Sequence, residues 1–397
     1  MKNRLLHEAK EMRSELVTHR RRIHAWPETG FDLHRSKAYV REQLIKMGYA
    51  PKDCGRCGLT ADIGHGKKTI LLRADMDALP IQEETGLDYA SANGNMHACG
   101  HDLHTAMLLG AAKLLKAHES ELNGRVRLFF QPAEEIFQGA GDMIADGALE
   151  GVDAAMMIHV TVGAPLPTGT AIVSSPGVSA PAADYFTIEV HGRGCHGSAP
   201  QDGVDAITTA AHIIIALQEI QARELGINDK AVLTIGTLRG GSAPNAIADS
   251  VTMEGTIRTL DEDLRAHLKK RMTEISRGIA AAFRAEATVS FGSGCPCLDN
   301  DAGLSKKAAN YLKDLLGSTC AYTTRELNPG GGPSAGGSED FAYISQKVPS
   351  VMVALAAGNP SQGYTHPLHH PKVRFDEDAL PVGAAIHVCC ALRWLSE

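Results

Sequence analysis

The chain has 397 residues, 44% of them hydrophobic and 21% charged, with a formal net charge of -7. That length allows two or three domains with well-buried cores. The acidic balance gives no basic footprint for nucleic acid or an anionic membrane surface, and no apolar run reaches the roughly 18 residues of a membrane-spanning helix.

Taken in chain order, helical patterns span 3–24 and 35–48. The first mixes charge with leucine and lacks the apolar core and small-residue cleavage site of a signal peptide, so a cytoplasmic location is expected. A strand-rich stretch follows, in which the apolar run Thr69–Leu72 leads into RADMDALP. His104–His118 carries apolar residues at helical spacing. GRVRLFFQPAEE reads as a buried strand ending at Pro132, and DAAMMIHV as another ending near His159. Strands alternating with helices indicate an α/β layer architecture.

The pattern then changes. ADYFTIEVHGRG alternates like a half-exposed strand, 204–225 is a long amphipathic helix, AVLTIGTLRGG and IADSVTMEGTIRTL are strands, and 262–284 is helical. This β-α-β-β-α-β order is that of a small sandwich with helices on one face. It separates two stretches rich in histidine and acid. The expected organisation is a mixed α/β domain of 1–183 and 296–397, with an α+β domain inserted at 184–295. NPGGGPSAGGSED (328–340) reads as a mobile loop.

Four stretches carry candidate chemistry. MHACGHDLHTA (96–106) holds three histidines, a cysteine and an aspartate. A turn at Gly100 could aim Cys99 and His101 at one ion; the plainer reading is a helix start capped by Asp102. In QPAEE one of Glu134 and Glu135 could ligate a metal while the other takes a proton from water. A surface acid pair is the alternative. His159 ends an apolar strand, a place that also suits a hydrogen-bonded core histidine. THPLHHP (365–371) adds three more histidines.

Other signals fall away. The single CxxC at Cys54 and Cys57 reads as a hairpin turn, and Cys295-Pro-Cys297 and Cys389-Cys390 read as structural. Nine cysteines scattered over the chain do not make a disulfide framework. No GxxxxGK[ST] or GxSxG motif is present.

Together these stretches resemble the M20 metallopeptidase family, in its amidohydrolase branch. The resemblance spans almost the whole chain. It rests on RADMDALP (73–80), MHACGHDLHTAMLLGAA (96–112), FFQPAEE (129–135), HGRGCHGSAP (191–200), NAIADSVTMEGTIRT (245–259), GGSEDFAYI (336–344) and LHHP (368–371).

The resemblance implies a zinc-peptidase-like catalytic domain with an inserted ferredoxin-like lid that also forms a homodimer. It implies two divalent metal ions in a cleft, with Cys99, His101, Glu135, His159 and His369 as ligands and Glu134 as general base. The family pattern favours His369 over His370. His196 falls on a lid histidine that reaches the active site of the other subunit and steadies the carbonyl's developing charge. Asn245 and Arg258 fall where a substrate carboxylate is held, the arginine through a bidentate pair. Asp75, Asp102 and His104 would orient ligands, and His97 has no assigned role. Family lids read GGHGSxPH, whereas this chain reads GCHGSAPQ, which puts any role of Gln201 in doubt. A thiolate ligand favours zinc, cobalt, nickel or iron over magnesium, and members of this branch are described with manganese, zinc or nickel.

The implied activity is a metal-dependent amidohydrolase that frees an amino acid from a small N-acyl substrate, N-acetyl or N-benzoyl (hippurate-like). A cysteine amidase using Cys99 with His101 or His104 as base, and a non-catalytic metal- or peptide-binding protein, are the competing readings.

Overall fold

The computed structural model describes residues 2–330 and 337–397, so the centre of the glycine-rich loop, 331–336, lies outside the described residues. The chain divides into two compact units: among the described residues, one holds the chain up to Ser179, the segment from Leu298 to 330 and Glu339–Glu397, the other Ala180–Cys297 and residues 337–338.

The first unit opens with α1 (Lys2–Glu11), α2 (Arg13–His24) and α3 (His34–Lys46). The single helix expected over 3–24 is in fact two, because the backbone at Met12 leaves the helical region with ψ near 0. Strands β1 (Lys52–Cys54), β2 (Gly58–Gly64) and β3 (Thr69–Asp75) follow. Cys54 and Gly58 face each other in antiparallel register, so the CxxC spans a hairpin turn as expected. Next come α4 (His101–Ala117), β4 (Arg125–Gln131), α5 (Gly139–Ala145), β5 (Ala154–Thr161), β6 (Ala171–Val173) and β7 (Gly177–Ala180).

The second unit contains β8 (Ala182–His191), β9 (Cys195–His196), α6 (Ala206–Glu219), β10 (Ala231–Gly240), β11 (Ala246–Ile247), β12 (Ser250–Thr259), α7 (Glu262–Ala282) and β13 (Glu286–Cys295). The chain then returns to the first unit with β14 (Leu298–Asn300), α8 (Ala302–Leu316), β15 (Ala321–Thr323), α9 (Thr324–Leu327), α10 (Ala342–Ser345), β16 (Ser350–Ala356) and α11 (Ala379–Leu395).

An eight-stranded mixed sheet, ordered β1-β2-β4-β3-β5-β16-β6-β15, forms the centre of the first unit. Its inner strands β4, β3, β5 and β16 run parallel. All seven residues of β3 are buried, as expected of a strand covered on both faces. In α4 only Lys113, Lys116 and Ala117 are exposed, so this helix is apolar nearly all round and lies in the core. It packs against α2 and α11. A side chain at Gly383 of α11 would stand 1.9 Å from Met107 Sδ, so glycine sets how closely α11 and α4 approach.

The second unit has a four-stranded antiparallel sheet, β10-β12-β8-β13, with α6 and α7 packed together. That is the ferredoxin-like arrangement of a split β-α-β repeat. Phe186, Ile188 and Val190 alternate along β8 and join Ile213, Leu217, Leu268 and Met272 in its core. Asp205 and Asp261 cap the two helices through side-chain oxygens, which sets their first turns. Among the described residues no helix is long and apolar enough to cross a membrane.

Candidate metal centre

Parallel strands bring their C-terminal ends to one edge of the sheet, where open α/β sheets place their sites. Asp75 ends β3 opposite Gln131 at the end of β4. Arg73 is level with Met157 on β5, so Asp75 and His159 each lie two residues further on. Glu134 and Glu135 follow β4 across Ala133, whose φ is 55°. Asp77 pins that acid pair, its carboxylate accepting from Glu134 N at 3.0 Å and Glu135 N at 3.1 Å. Gly100, with φ 86°, makes the left-handed turn between Cys99 and His101, the first residue of α4. His369 also sits at positive φ, 65°. Backbone of this kind persists where the surroundings impose it, and such positions cluster at functional sites.

These elements draw six side chains into overlapping groups. Cys99, His101 and His159 form one group, Cys99, Glu135 and His369 another, and His101, Glu134 and Glu135 a third; within each, the ligand atoms lie within 4.8 Å of one another. Cys99 Sγ is 3.5 Å from His159 Nε2. Glu135 Oε1 is 3.8 Å from His101 Nε2 and 3.6 Å from His369 Nε2. His101 Nε2 and Glu135 Oε1 are buried without a hydrogen-bond partner. Buried polar atoms are nearly always paired, so orphaned donors aimed at one point fit a divalent cation. His370 is not in these groups; its ring stacks on His366 with centroids 4.3 Å apart.

Local partners settle which ring nitrogens face the cluster. His101 Nδ1 is 2.9 Å from the carbonyl of Asp77, and His159 Nδ1 is 2.7 Å from that of Val160. A carbonyl only accepts, so each Nδ1 carries the proton and each Nε2 presents its lone pair. His104 is spent differently: Nδ1 lies 2.6 Å from Asp75 Oδ1, while Nε2 accepts from Val160 N at 2.8 Å. It supports the site and has no lone pair left for a metal.

The electrostatics favour added positive charge. Burial, with Glu135 close by, pushes the Cys99 thiol up to about 12. Burial also lifts Glu135 to about 7 and holds Glu134 well above the usual carboxylate range, with Glu339 adding to the latter. A thiol and two acids whose ionisation burial opposes are a donor set that a cation would help to ionise.

Sequence reasoning missed four polar residues here. Arg73 is fully buried and pairs with Asp75, Glu339 and Asp340, and Asp77 holds the acid pair. Arg73 and Asp77 stood in RADMDALP, and a charged residue inside a buried apolar strand was the available signal. Asp102 does not cap α4: Arg20 Nε contacts its Oδ2 at 2.7 Å and His24 Nδ1 lies 2.8 Å away. Burial opposes its charge, but these partners hold it below the usual carboxylate range. His97 is buried with neither ring nitrogen bonded, and burial lowers it to about 3.

The remaining candidates belong to the second unit. His196 pairs with Ala246 between β9 and β11, and Gly197 N donates to Asn245 O at 2.8 Å, so His196 and Asn245 are neighbours on an exposed two-stranded ladder. Ser198 N donates to His196 Nδ1 at 3.2 Å, which leaves Nε2 as the protonated nitrogen of the neutral ring. Arg258 on β12 donates to Ile257 O at 3.0 Å and lies over the Tyr185 ring.

Residues 71–393 match peptidase family M20/M25/M40. The chain is 38% identical over 376 residues to the N-acetyl-L-cysteine deacetylase of Bacillus subtilis, covering 93% of this chain and 85% of that protein. It is 36% identical over 389 residues to the IAA-amino acid hydrolase ILR1-like 2 of Arabidopsis thaliana, covering 96% and 85%. The YXEP protein of Bacillus subtilis, a dinuclear metal-binding peptidase of the M20 family, superposes with a TM-score of 0.79 at 32% identity over 98% of this chain and 99% of that one. The chain belongs to peptidase family M20/M25/M40, in its amidohydrolase branch, and is a hydrolase acting on amides.

Proposed function

We propose that the protein hydrolyses the amide bond of N-acyl amino acids, with N-acetyl and N-benzoyl (hippurate-like) amino acids as candidate substrates. The observation that carries this is the convergence of Cys99, His101, Glu135, His159 and His369 beside Glu134, with two buried donor atoms unpartnered. The names of the deacetylase and the amino acid hydrolase to which the chain is similar support the same substrate class.

Those five side chains would hold two divalent ions, of zinc, manganese, nickel or cobalt. Cys99, His101 and Glu135 each belong to two of these donor groups. When bound, such ions polarise an amide carbonyl and make water more acidic. Glu134 takes the proton from the attacking water and passes it to the leaving nitrogen. Its neighbour Glu135 is a ligand, and Asp77 holds both backbones so that the adjacent carboxylates keep separate tasks. His196 of the partner subunit donates Nε2–H to the developing oxyanion, while Asn245 and Arg258 hold the carboxylate of the amino acid. The second unit therefore acts as lid and dimerisation domain of a homodimer, and the protein works in the cytoplasm.

A cysteine amidase requires the opposite electrostatics, since a nucleophilic cysteine needs its pKa lowered, and here burial raises it. The test is a panel of N-acetyl, N-benzoyl and longer N-acyl amino acids, ranked by kcat/KM, before and after chelation and in Glu134→Gln. Loss of turnover on chelation and recovery on adding metal are expected. Full activity in the chelated protein, or its loss to a thiol alkylator alone, overturns the reading.

A further inference from the structure

Arg73 stands out among charged residues that the proposed chemistry leaves unused. It is 1% exposed, in the centre of the sheet. Its Nη1 is 2.6 Å from Asp75 Oδ2. Its Nη2 is 2.9 Å from Glu339 Oε1 and 3.0 Å from Asp340 Oδ1, and Nε donates to Gln131 Oε1 at 3.0 Å. One guanidinium thus has its three nitrogens committed in three directions.

Each direction leads to a different part of the site. Asp75 turns its other oxygen to His104 Nδ1 at 2.6 Å; His104 Nε2 accepts from Val160 N at 2.8 Å, and the Val160 carbonyl accepts from His159 Nδ1 at 2.7 Å. On the opposite side Asp340 N donates to Glu134 Oε1 at 3.4 Å. Asp340 itself is fixed by Gln131 Nε2 at 2.7 Å and Ala140 N at 3.0 Å. Carboxylate oxygens of Glu134, Glu339 and Asp340 all lie within 4.8 Å of one another. Acids that close and that buried repel unless a cation lies among them, and leaving such a charge uncompensated is strongly destabilising.

We propose that Arg73 is a positioning residue that ties the two halves of the site together, setting His104 through Asp75, and by way of Val160 the ligand His159, and setting Glu134 through the Glu339–Asp340 pair. This rests on the reading of Glu134 as base and His159 as ligand. Lysine cannot take its place: its single ammonium cannot span the acids on both sides and Gln131, whereas the planar fork does so at no cost in reorientation.

The test uses Arg73→Lys, Glu339→Gln and Glu134→Gln in the full chain. Glu339→Gln keeps the volume and an acceptor oxygen but removes the charge that draws the guanidinium toward the base side. Two readouts are taken: cobalt titration of chelator-stripped protein, followed by thiolate-to-cobalt absorption, and steady-state kcat and KM on N-acetyl and N-benzoyl amino acids. Arg73→Lys is expected to weaken cobalt binding and lower kcat, each by about 10- to 100-fold, with KM within about threefold. Glu339→Gln is expected to lower kcat about tenfold while cobalt affinity stays within about threefold. A kcat equal to the parent's in Glu339→Gln overturns the proposal even where Arg73→Lys fails to fold, as does an Arg73→Lys protein that binds cobalt and turns over like the parent. If Glu134→Gln keeps full turnover, the reading of the base falls; if it is inactive while the other two variants match the parent, only the role of Arg73 falls.

Discussion

Adding one methyl group at Gly100 tests whether the turn between Cys99 and His101 is imposed by the fold. Gly100 has φ 86° and ψ 18°, a conformation that costs an L side chain roughly 1–2 kcal/mol. Its new Cβ would stand 2.4 Å from Val160 Cγ2 and 3.1 Å from two ring carbons of Phe375. Overpacking of that kind adds roughly 1–3 kcal/mol, and the smaller unfolded-state entropy of alanine returns about 0.4–1 kcal/mol. The net destabilisation for Gly100→Ala is therefore about 1–5 kcal/mol. Val160 is fully buried, so its side chain has little room to turn away. The loop has to move instead, and it carries Cys99. Every 1.4 kcal/mol that reaches the ligand geometry weakens metal binding about tenfold. Urea unfolding of the chelator-stripped variant and cobalt titration of the same sample measure the two parts. A variant that unfolds at the parent's urea midpoint and binds cobalt with the parent's affinity refutes the reasoning.

Three further outcomes are expected. His369→Ala weakens cobalt binding at least about tenfold, whereas His370→Ala leaves it within about threefold; equal losses would remove the distinction between the two histidines. His196→Ala lowers kcat by roughly 100- to 1000-fold, the usual loss for one oxyanion donor, with cobalt affinity unchanged, and a kcat near the parent's would strip His196 of that role. His118 lies 2.7 Å from Glu8 and 2.8 Å from Glu121. Burial works against its charge, but Glu121 and Glu8 outweigh that and raise its pKa above 6.5. A raised histidine contributes stability that is complete below the unfolded value and fades as pH climbs through the folded one. Urea midpoints of the parent should therefore decline above pH 6.5, and His118→Gln should flatten that decline; parallel profiles would count against the clamp.

The elements that position the site were legible because their signals are local. β4 and β5 are short, largely apolar runs; the acid pair follows three residues after the end of β4, and His159 lies two residues before the end of β5. The β-α-β-β-α-β order of the second unit follows from alternation and two long amphipathic helices. Pairings between distant residues were not legible. Arg73 meets Glu339 and Asp340 across more than 260 positions, and Arg20 meets Asp102 across 82. Periodicity carries nothing about such partners, since each is chosen by the register of the sheet and the packing of α2 on α4. The break at Met12 was invisible for a related reason: nothing in KEMRSE is a helix breaker.

The three histidines of MHACGHDLHTA show how far residue type alone goes. They are close in sequence and all buried, yet their hydrogen bonds give them different capacities. His101 gives its Nδ1 proton to a carbonyl and keeps a lone pair facing the donor cluster. His104 has both nitrogens engaged, one on Asp75 and one on Val160 N. His97 has neither engaged. A metal ligand needs one nitrogen fixed and the other open, and only His101 meets that condition beside Cys99. His159, alone in sequence at the end of β5, meets it too, through the carbonyl of Val160. The choice of ligands therefore lies in which backbone carbonyls the strands leave available, and Val160 serves both sides of it: its carbonyl orients His159, and its N–H closes His104 to metal.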